Sequence, residues 1–409
     1  MTGAPPAAAA IQALLSAAAV RARAHQMLAA CRAGTLAHFT LDEAKLDDVA
    51  ALVVEVTRES YPDGAVPYHS RWRHFGFRGD DRFVQLYRPF ALAGAERARA
   101  RIELAIVSVL LDAGAGDQWR YTMLDGSQIG RSEGLALASL DLVANGGLSS
   151  QLREPWRVDA AVLQRLAPGL LGAAMQVAPD NPLVGIAGRA ALLQALGARL
   201  AALPAFFGTP ARLGNFFDVL AGRAVGGRIA GAAILSAVLE AFNPIWPGRI
   251  VLGGVPLGDV WRHDAIAAAD GTAGLVPLHK LSQWLAYSLV EPLEEAGIAV
   301  VDLDGLTGLA EYRNGGLFVD GGVLVPHGVD LAAAHPVDSA VVVEWRALTV
   351  ALLDLLAERM RARLGLDAVS LPLAKVLQGG SWTAGRRLAA ERRPGGGPPI
   401  KVASDGTVF

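Results

Sequence analysis

The sequence contains a single cysteine, Cys31, among 409 residues. One thiol cannot close an internal disulfide, and it has no cysteine partners for a structural zinc site. An internal disulfide is therefore excluded, and we expect a cytoplasmic protein. The length allows a large hydrophobic core, divided over two or three domain-sized units.

Charged residues are also scarce, at 19% of the chain, and the formal net charge is only −2. Because proteins that bind nucleic acid usually present a strongly basic surface, we expect no nucleic acid partner. The arginines occur instead in local clusters. Such clusters fit a small anionic ligand better than a charged polymer.

Long apolar runs are missing, although 52% of the residues are hydrophobic. Ala7–Val20 is apolar, but no positive segment precedes it and Arg21 and Arg23 follow it, so it does not resemble a targeting peptide. We predict an amphipathic helix there that continues to Cys31. Charges interrupt the other apolar stretches before they reach the length of a membrane span, and we expect no membrane partner.

Helical periodicity is abundant. Apolar residues recur at i, i+3, i+4 and i+7 in the segments 44–59, 96–111, 132–144, 187–203, 228–242, 278–296 and 341–364. Alternation that indicates strands is limited to 249–252, 299–302, 316–325 and 399–402. We therefore predict a mainly α, multi-helix globular body with one or two small β-hairpins. Loop-like composition near residue 180 predicts an N-terminal helical part, 1–180, and a C-terminal part, 181–409, whose tail folds back.

The segment 66–75 is chemically unlike the rest of the chain, since it combines two histidines, two arginines and three aromatic residues. Guanidinium groups bind phosphate or carboxylate in a bidentate manner, and aromatic rings can pack against a base or a sugar. The alternative is a surface loop that its aromatic residues anchor to the core. The segment alone does not decide between the two.

Two further segments are rich in polar groups. Residues 112–134 combine glycines with hydrogen-bonding side chains, among which Ser132 is expected to cap the following helix. Residues 311–316 place Glu311 beside a tyrosine and Arg313, so Glu311 is either catalytic or paired with Arg313. Glu344 is either functional or a solvated acid in the first turn of a helix. We expect the segments 66–75, 117–133 and 311–313 to line one pocket.

Other chemistries have little support. The sequence has no phosphate-binding loop, no serine-nucleophile motif and no paired-histidine zinc motif. His69 and His74 are five residues apart and form no known metal-binding motif, so they are only weak evidence for a metal site. His263 and His279 are expected at the surface or at helix caps.

Four separated motifs resemble a known family, that of the fourth protein of the uracil-catabolism (URC) gene cluster, long classed as a domain of unknown function. The motifs are VPYHSRWRHF (66–75), LLDAGAGDQWRY (110–121), GRSEG (130–134) and PPIKVASDGTVF (398–409). The resemblance covers nearly the whole chain. It implies a role in a pathway that converts uracil to a nucleotide, opens its ring and yields urea from a ribosylurea-type compound.

Three shorter motifs are similar to the queuosine-salvage nucleotide N-glycosylases. They are PLHKLSQWL (277–285), LTGLAEYR (306–313) and VEWR (343–346). This resemblance implies a helical fold related to DNA glycosylases and cleavage of an N-glycosidic bond in a 5′-phosphorylated nucleoside. Where that family has a catalytic aspartate, this chain has Glu311, whose side chain is longer by one methylene.

Together the two resemblances predict an N-ribohydrolase that acts on a ring-opened pyrimidine nucleotide and needs neither a redox cofactor nor a metal. The expected partner is a small phosphorylated ribosyl substrate; the oligomeric state is not predicted. The candidate catalytic residues are Glu311, Asp320 and Glu133. The candidate substrate-binding residues are Tyr68, His69, Arg71, Arg73, His74, Asp117, Trp119, Arg131, Ser132, Lys280, Gln283, Tyr312, Arg313, Glu344 and Arg346. The alternatives are another hydrolase acting on the ureido group and a non-catalytic binding or scaffold protein of the same pathway.

Overall fold

A computed structural model describes residues 7–77, 79–246 and 250–403 of the chain. The last residues of the predicted fold-back tail, 404–409, lie outside this part. The chain forms two compact units, each built from separate stretches of sequence. Of the described residues, unit 1 contains 7–69, 250–283 and 302–403, and unit 2 contains 70–77, 79–246 and 284–301. The boundary predicted at residue 180 stays a prediction.

The described residues are mainly helical, which confirms the predicted fold class. In chain order the α-helices are α1 (Ala8–Leu14), α2 (Ala17–Arg32), α3 (Lys45–Ser60), α4 (Arg82–Tyr87), α5 (Gly94–Leu110), α6 (Arg131–Ala144), α7 (Ala160–Leu163), α8 (Pro168–Ala174), α9 (Ile186–Ala202), α10 (Pro204–Phe207), α11 (Phe216–Arg223), α12 (Gly231–Phe242), α13 (Lys280–Glu295), α14 (Tyr312–Asp320), α15 (Ala340–Leu364), α16 (Leu373–Val376) and α17 (Trp382–Arg392). None of the described helices is both long enough and apolar enough to span a bilayer.

The strands are short and pair only two at a time in the described residues. They are β1 (Phe39–Leu41), β2 (Gly76–Phe77), β3 (Asp80–Asp81), β4 (Arg120–Thr122), β5 (Gln128–Gly130), β6 (Arg228–Ala230), β7 (Val251–Leu252), β8 (Val255–Pro256), β9 (Val260–Arg262), β10 (Leu275–Pro277), β11 (Ala299–Val301), β12 (Leu324–Pro326), β13 (Ala334–Pro336) and β14 (Lys401–Ala403). The pairs β1–β12, β2–β3, β4–β5, β7–β8 and β9–β10 are antiparallel, whereas β6–β11 and β13–β14 are parallel.

Each unit is organised around a long helix. In unit 1, α15 is buried on every side along Val341–Leu353 and packs against α2, α3 and α14. A helix that is buried on every side belongs in the interior, so α15 is the core helix of unit 1. In unit 2, α5 is buried continuously from Ala100 to Leu110 and packs against α6, α9 and α11.

Three predicted elements differ from the structure. The predicted strand 316–325 is helical through Asp320 because the Glu311 side chain caps the start of α14. Gly315 allows close packing in this helix, since a Cβ there would lie 2.7 Å from the Trp345 ring, whereas Gly321 and Gly322 form the turn after it, as predicted. The predicted helix 228–242 starts only at Gly231, after strand β6. The first predicted helix is broken before Ala17, where Ser16 caps α2.

Gly385 of α17 provides a test of how α17 packs against α14. A Cβ at this position would lie 2.3 Å from the carbonyl oxygen of Arg313. Gly385→Ala should therefore lower the free energy of unfolding by about 1–3 kcal/mol, measured by urea denaturation. Gly188→Ala in α9 is the matched control, since no atom lies within 4 Å of its Cβ position. The control should be neutral or stabilising by up to about 1 kcal/mol, and equal effects of both substitutions would contradict the packing.

Candidate active site

Glu311 lies immediately before α14 in unit 1 and caps that helix with its side chain. Its two carboxylate oxygens accept hydrogen bonds from the backbone N–H groups of Arg313, at 2.7 Å, and Asn314, at 2.6 Å. The residue is only 9% exposed. Burial raises the pKa of the Glu311 carboxyl, against the opposing effects of these N–H groups and of the Lys280 and Arg313 charges. Glu311 is thus a fixed, poorly solvated carboxyl group, as acid–base sites require.

The guanidinium of Arg313 makes its hydrogen bond elsewhere. It donates to the carbonyl oxygen of Gly396 at 2.8 Å and lies 4.8 Å from the centre of the Tyr312 ring. Glu311 therefore binds the backbone of Arg313 rather than its side chain. An ion pair between Glu311 and Arg313, the alternative considered from the sequence, therefore does not explain where the Glu311 carboxylate lies.

A buried ion pair holds the residue before Glu311. Arg346 of α15 binds the Asp259 carboxylate in a bidentate manner, with both distances 2.9 Å, and donates from Nε to the carbonyl oxygen of Ala310 at 3.3 Å. Asp259 also accepts the backbone N–H of Lys280 at 2.9 Å. Burial alone would raise the pKa of Asp259, but the Arg346 charge and these hydrogen bonds lower it to about 2. The pair therefore stays ionised and links the starts of α13 and α14.

Gln283 fixes the same stretch of chain from a second direction. Its amide oxygen accepts the backbone N–H of Thr307 at 3.0 Å, and its amide nitrogen donates to the Thr307 hydroxyl. Both residues are fully buried. The segment leading into Glu311 is thus held by α13 and α15 together, which pre-organises the carboxylate.

Asp320, the second predicted catalytic carboxylate, lies at the end of α14. Both of its oxygens accept hydrogen bonds from the Arg393 guanidinium, one of them at 2.7 Å, and the residue is 4% exposed. A bidentate arginine neutralises the charge that catalysis would use. In unit 1, the geometry favours Glu311 over Asp320.

Glu344 is not a solvated acid in the first turn, one of its two expected roles, because it is 1% exposed and lies beyond the first turn of α15. His38 Nδ1 and His263 Nε2 both contact its Oε1, at 2.9 and 3.0 Å. Burial raises the pKa of Glu344, but the hydrogen bonds and charges of the two histidines outweigh it, so the net shift is downward. Of the two places expected for His263 and His279, the surface is wrong for both, because the side chain of His263 is 9% exposed and His279 is 1% exposed. His279 directly precedes α13 and its carbonyl oxygen accepts the Gln283 N–H at 2.9 Å, so it lies at a helix cap as the alternative predicted.

The predicted site residues divide between the units. Unit 1 contains Tyr68, His69, Lys280, Gln283, Glu311, Tyr312, Arg313, Asp320, Glu344 and Arg346. Unit 2 contains Arg71, Arg73, His74, Asp117, Trp119, Arg131, Ser132 and Glu133. The expectation that the polar segments line one pocket stays a prediction.

In unit 2, Arg71 is the centre of a buried polar network. Its Nη1 lies 2.9 Å from both Asp112 and the Ser132 hydroxyl, and 3.1 Å from His74 Nδ1. The Ser132 hydroxyl donates to Asp112 at 2.7 Å. Ser132 does not cap α6 as expected, because the helix begins one residue earlier and Gly130 occupies the cap position. Asp112 therefore already balances the charge of Arg71.

The other candidates have structural contacts of their own. Arg73 pairs with Glu291. The Trp119 indole is fully buried and donates to the carbonyl oxygen of Met175 at 2.8 Å. His69, which is buried in unit 1, lies 3.0 Å from the Gln378 amide oxygen. Asp117 and Arg131 are exposed, and Tyr68 and Glu133 are half-buried.

Sequence reasoning missed His38 and Asp259 altogether. His38 stands alone before a short strand, and Asp259 follows a glycine in an irregular passage, so neither has a local motif. In the described part of the chain, no group of three or more His, Cys, Asp or Glu residues is arranged to hold a metal ion.

Residues 13–409 match the family model DUF1688, described as a protein of unknown function. The chain belongs to this family. It is 37% identical to "Uracil catabolism protein 4" of Lachancea kluyveri, over 91% of this chain and 92% of the relative. It is 40% identical to "Protein urg3" of Schizosaccharomyces pombe, over 97% of this chain and 98% of the relative. The DUF1688 assignment and these relatives confirm the family resemblance read from the four sequence motifs.

Proposed function

We propose that this protein is an enzyme of uracil catabolism, an N-ribohydrolase. Its substrate would be a ring-opened pyrimidine nucleotide of the ribosylurea type, with a 5′-phosphate, from which it releases urea or a ureido compound. The name of the Lachancea kluyveri relative supports the pathway. The placement of Glu311 supports the reaction.

The proposal rests on one observation: the Glu311 carboxylate is buried, and contacts from α13, α14 and α15 fix its position. Hydrolysis of a ribosyl C1′–N bond passes through a state with positive charge on the sugar, as in glycoside hydrolysis. Because water solvates the buried Glu311 carboxylate poorly, a positive charge on the sugar stabilises this carboxylate strongly. The raised pKa of Glu311 in the free protein has the same cause and therefore fits this role. Glu311 would stabilise the charged sugar and orient the attacking water.

The remaining groups of unit 1 suit the other parts of such a substrate. Tyr312, next to Glu311, is half-buried and has a hydroxyl that can hydrogen-bond the leaving nitrogen. Lys280 acts electrostatically on Glu311 and carries the ammonium group that a phosphate requires. Arg346, in contrast, is occupied by Asp259, so we assign it to positioning rather than to phosphate binding.

The test is product analysis with purified protein and two substrates, ribosylurea and its 5′-phosphate. We expect release of urea, quantified with a urease-coupled assay, together with ribose or ribose 5-phosphate. Ammonia released in the absence of urease would favour the alternative hydrolase of the ureido group. Binding without any product, measured by calorimetry, would favour the non-catalytic alternative.

Lys280→Met should distinguish the two substrates. If Lys280 binds the 5′-phosphate, the variant should raise KM for the phosphorylated form by about 10- to 100-fold, the cost of losing one charge-assisted hydrogen bond. KM for ribosylurea should change much less. Lys45→Met removes a surface lysine that pairs with Asp48 and serves as the control. Equal losses for both substrates would show that Lys280 does not recognise phosphate.

A further inference from the structure

The carboxylate of Glu344, two residues before Arg346 on α15, binds two imidazoles in unit 1. Besides the two imidazole contacts to Oε1, the backbone N–H of His38 donates to Oε2 at 3.2 Å. Burial and, to a smaller extent, the Glu344 charge raise the pKa of the nearby Cys31 thiol to about 11. Cys31 therefore stays neutral, and the chemistry of the cluster depends on the two histidines.

The hydrogen bonds fix where the protons lie. Nδ1 of His263 accepts the backbone N–H of Ala265 at 3.2 Å, so the proton of the neutral ring is on Nε2 and is donated to Glu344. Glu344 is ionised, since its pKa is below the usual value. An ionised carboxylate only accepts hydrogen bonds, so His38 must carry a proton on Nδ1.

The other nitrogen of His38 is left open. Among the described residues none makes a hydrogen bond to Nε2, and 26% of the side chain is exposed. The backbone is fixed on both sides, because β1 starts at the next residue and His327 N–H donates to the His38 carbonyl oxygen at 2.9 Å. In neutral His38, Nε2 therefore presents a lone pair in a fixed direction.

A carboxylate that fixes the tautomer of a histidine and leaves its second nitrogen open is the arrangement found in catalytic triads. We propose that His38 is a proton-transfer residue of this protein, with Glu344 as its positioning residue. The inference rests on the proposed N-ribohydrolase function. Nε2 takes a proton from water as the water oxygen bonds to C1′ and the C1′–N electron pair moves to nitrogen. The same proton then passes to the leaving nitrogen, which balances the hydrolysis.

His38→Asn is the sharpest test. The asparagine amide can donate to Glu344 from nearly the same place as Nδ1, but it has no titrating nitrogen at the position of Nε2. We expect kcat/KM to fall about 10²- to 10⁴-fold. The control is His335→Asn, which alters a histidine that contacts the carbonyl oxygen of Asp330 and should change kcat/KM less than twofold.

Glu344→Gln tests the positioning role. The amide cannot favour one histidine tautomer through charge, so the ¹⁵N imidazole spectrum should show His38 as Nδ1–H in the wild type and as a mixture in the variant. An Nε2–H tautomer in the wild type would overturn the inference without any activity measurement. Wild-type activity in His38→Asn would overturn the inference and leave the proposed function standing. No product from the wild-type protein would contradict both.

Discussion

Glu311→Gln should reduce kcat for the ribosyl substrate by about two to four decades, the usual cost of losing a positioned acid–base group. Glutamine keeps an amide oxygen that can accept one of the two N–H groups at the start of α14, so the helix cap is largely retained. It removes the negative charge that a positively charged sugar needs. Single-turnover kinetics would measure the loss at the chemical step.

Two controls separate chemistry from folding. Glu311→Ala removes the cap as well and should cost about 1 kcal/mol of stability, measured by urea denaturation. The wild-type pH profile should lose activity as pH falls through a value above the usual pKa of a glutamate, since burial raises the pKa of Glu311. Unchanged activity in Glu311→Gln would place the catalytic carboxylate elsewhere, with Asp320, Glu133 and Glu344 as the remaining candidates.

Arg346→Met should destabilise the protein by about 3–5 kcal/mol, because it leaves the Asp259 carboxylate buried without its countercharge. It also releases the carbonyl oxygen of Ala310, so residual activity in the folded fraction should fall. Urea denaturation followed by circular dichroism would measure the first effect. The double variant Asp259→Asn with Arg346→Met removes both charges and should recover part of the loss.

The stability that the ionised Asp259 contributes to the folded protein should decrease as the pH falls. Its pKa in the folded protein is about 2, below the value of about 3.9 for an exposed aspartate. The stabilisation is therefore complete above pH 4 and is lost as pH falls toward about 2, a dependence absent from Asp259→Asn. Arg363→Met, which breaks an exposed pair with Asp47, should change stability by about 0.5 kcal/mol or less. If Arg363→Met and Arg346→Met lowered the free energy of unfolding by similar amounts, burial of the Arg346–Asp259 pair would not be the cause of its larger expected effect.

Sequence periodicity predicted the long helices well, because each shows its own apolar pattern. The predicted helix 44–59 and the observed α3, Lys45–Ser60, differ by one residue at each end. The chemical motif around Glu311 was also found locally, since the N–H groups that Glu311 binds belong to residues that follow it directly. For the long helices and for the Glu311 motif, neighbouring residues in the sequence were therefore sufficient for the prediction.

The partners of the buried charges could not be found in this way. His38 and Glu344 are 306 residues apart, and Asp259 and Arg346 are 87 residues apart. Such contacts are set by how α15 packs against strands from other parts of the chain, and periodicity carries no information about that packing. For the same reason the predicted phosphate ligand Arg73 could not be recognised as the partner of Glu291.

The interleaved sequence of the two units has a consequence for synthesis on the ribosome. All described residues of unit 2 have been translated once residue 301 is made, whereas unit 1 still needs residues 302–403. Domains generally fold as units during translation, so unit 2 can form while the N-terminal third of unit 1 waits for its core helix α15. In nascent chains arrested just before residue 340, unit 2 should therefore resist protease, whereas residues 8–60 should be cleaved. Termination there would release a chain that contains Glu311 but lacks Arg346, which holds the carbonyl oxygen of the residue before it.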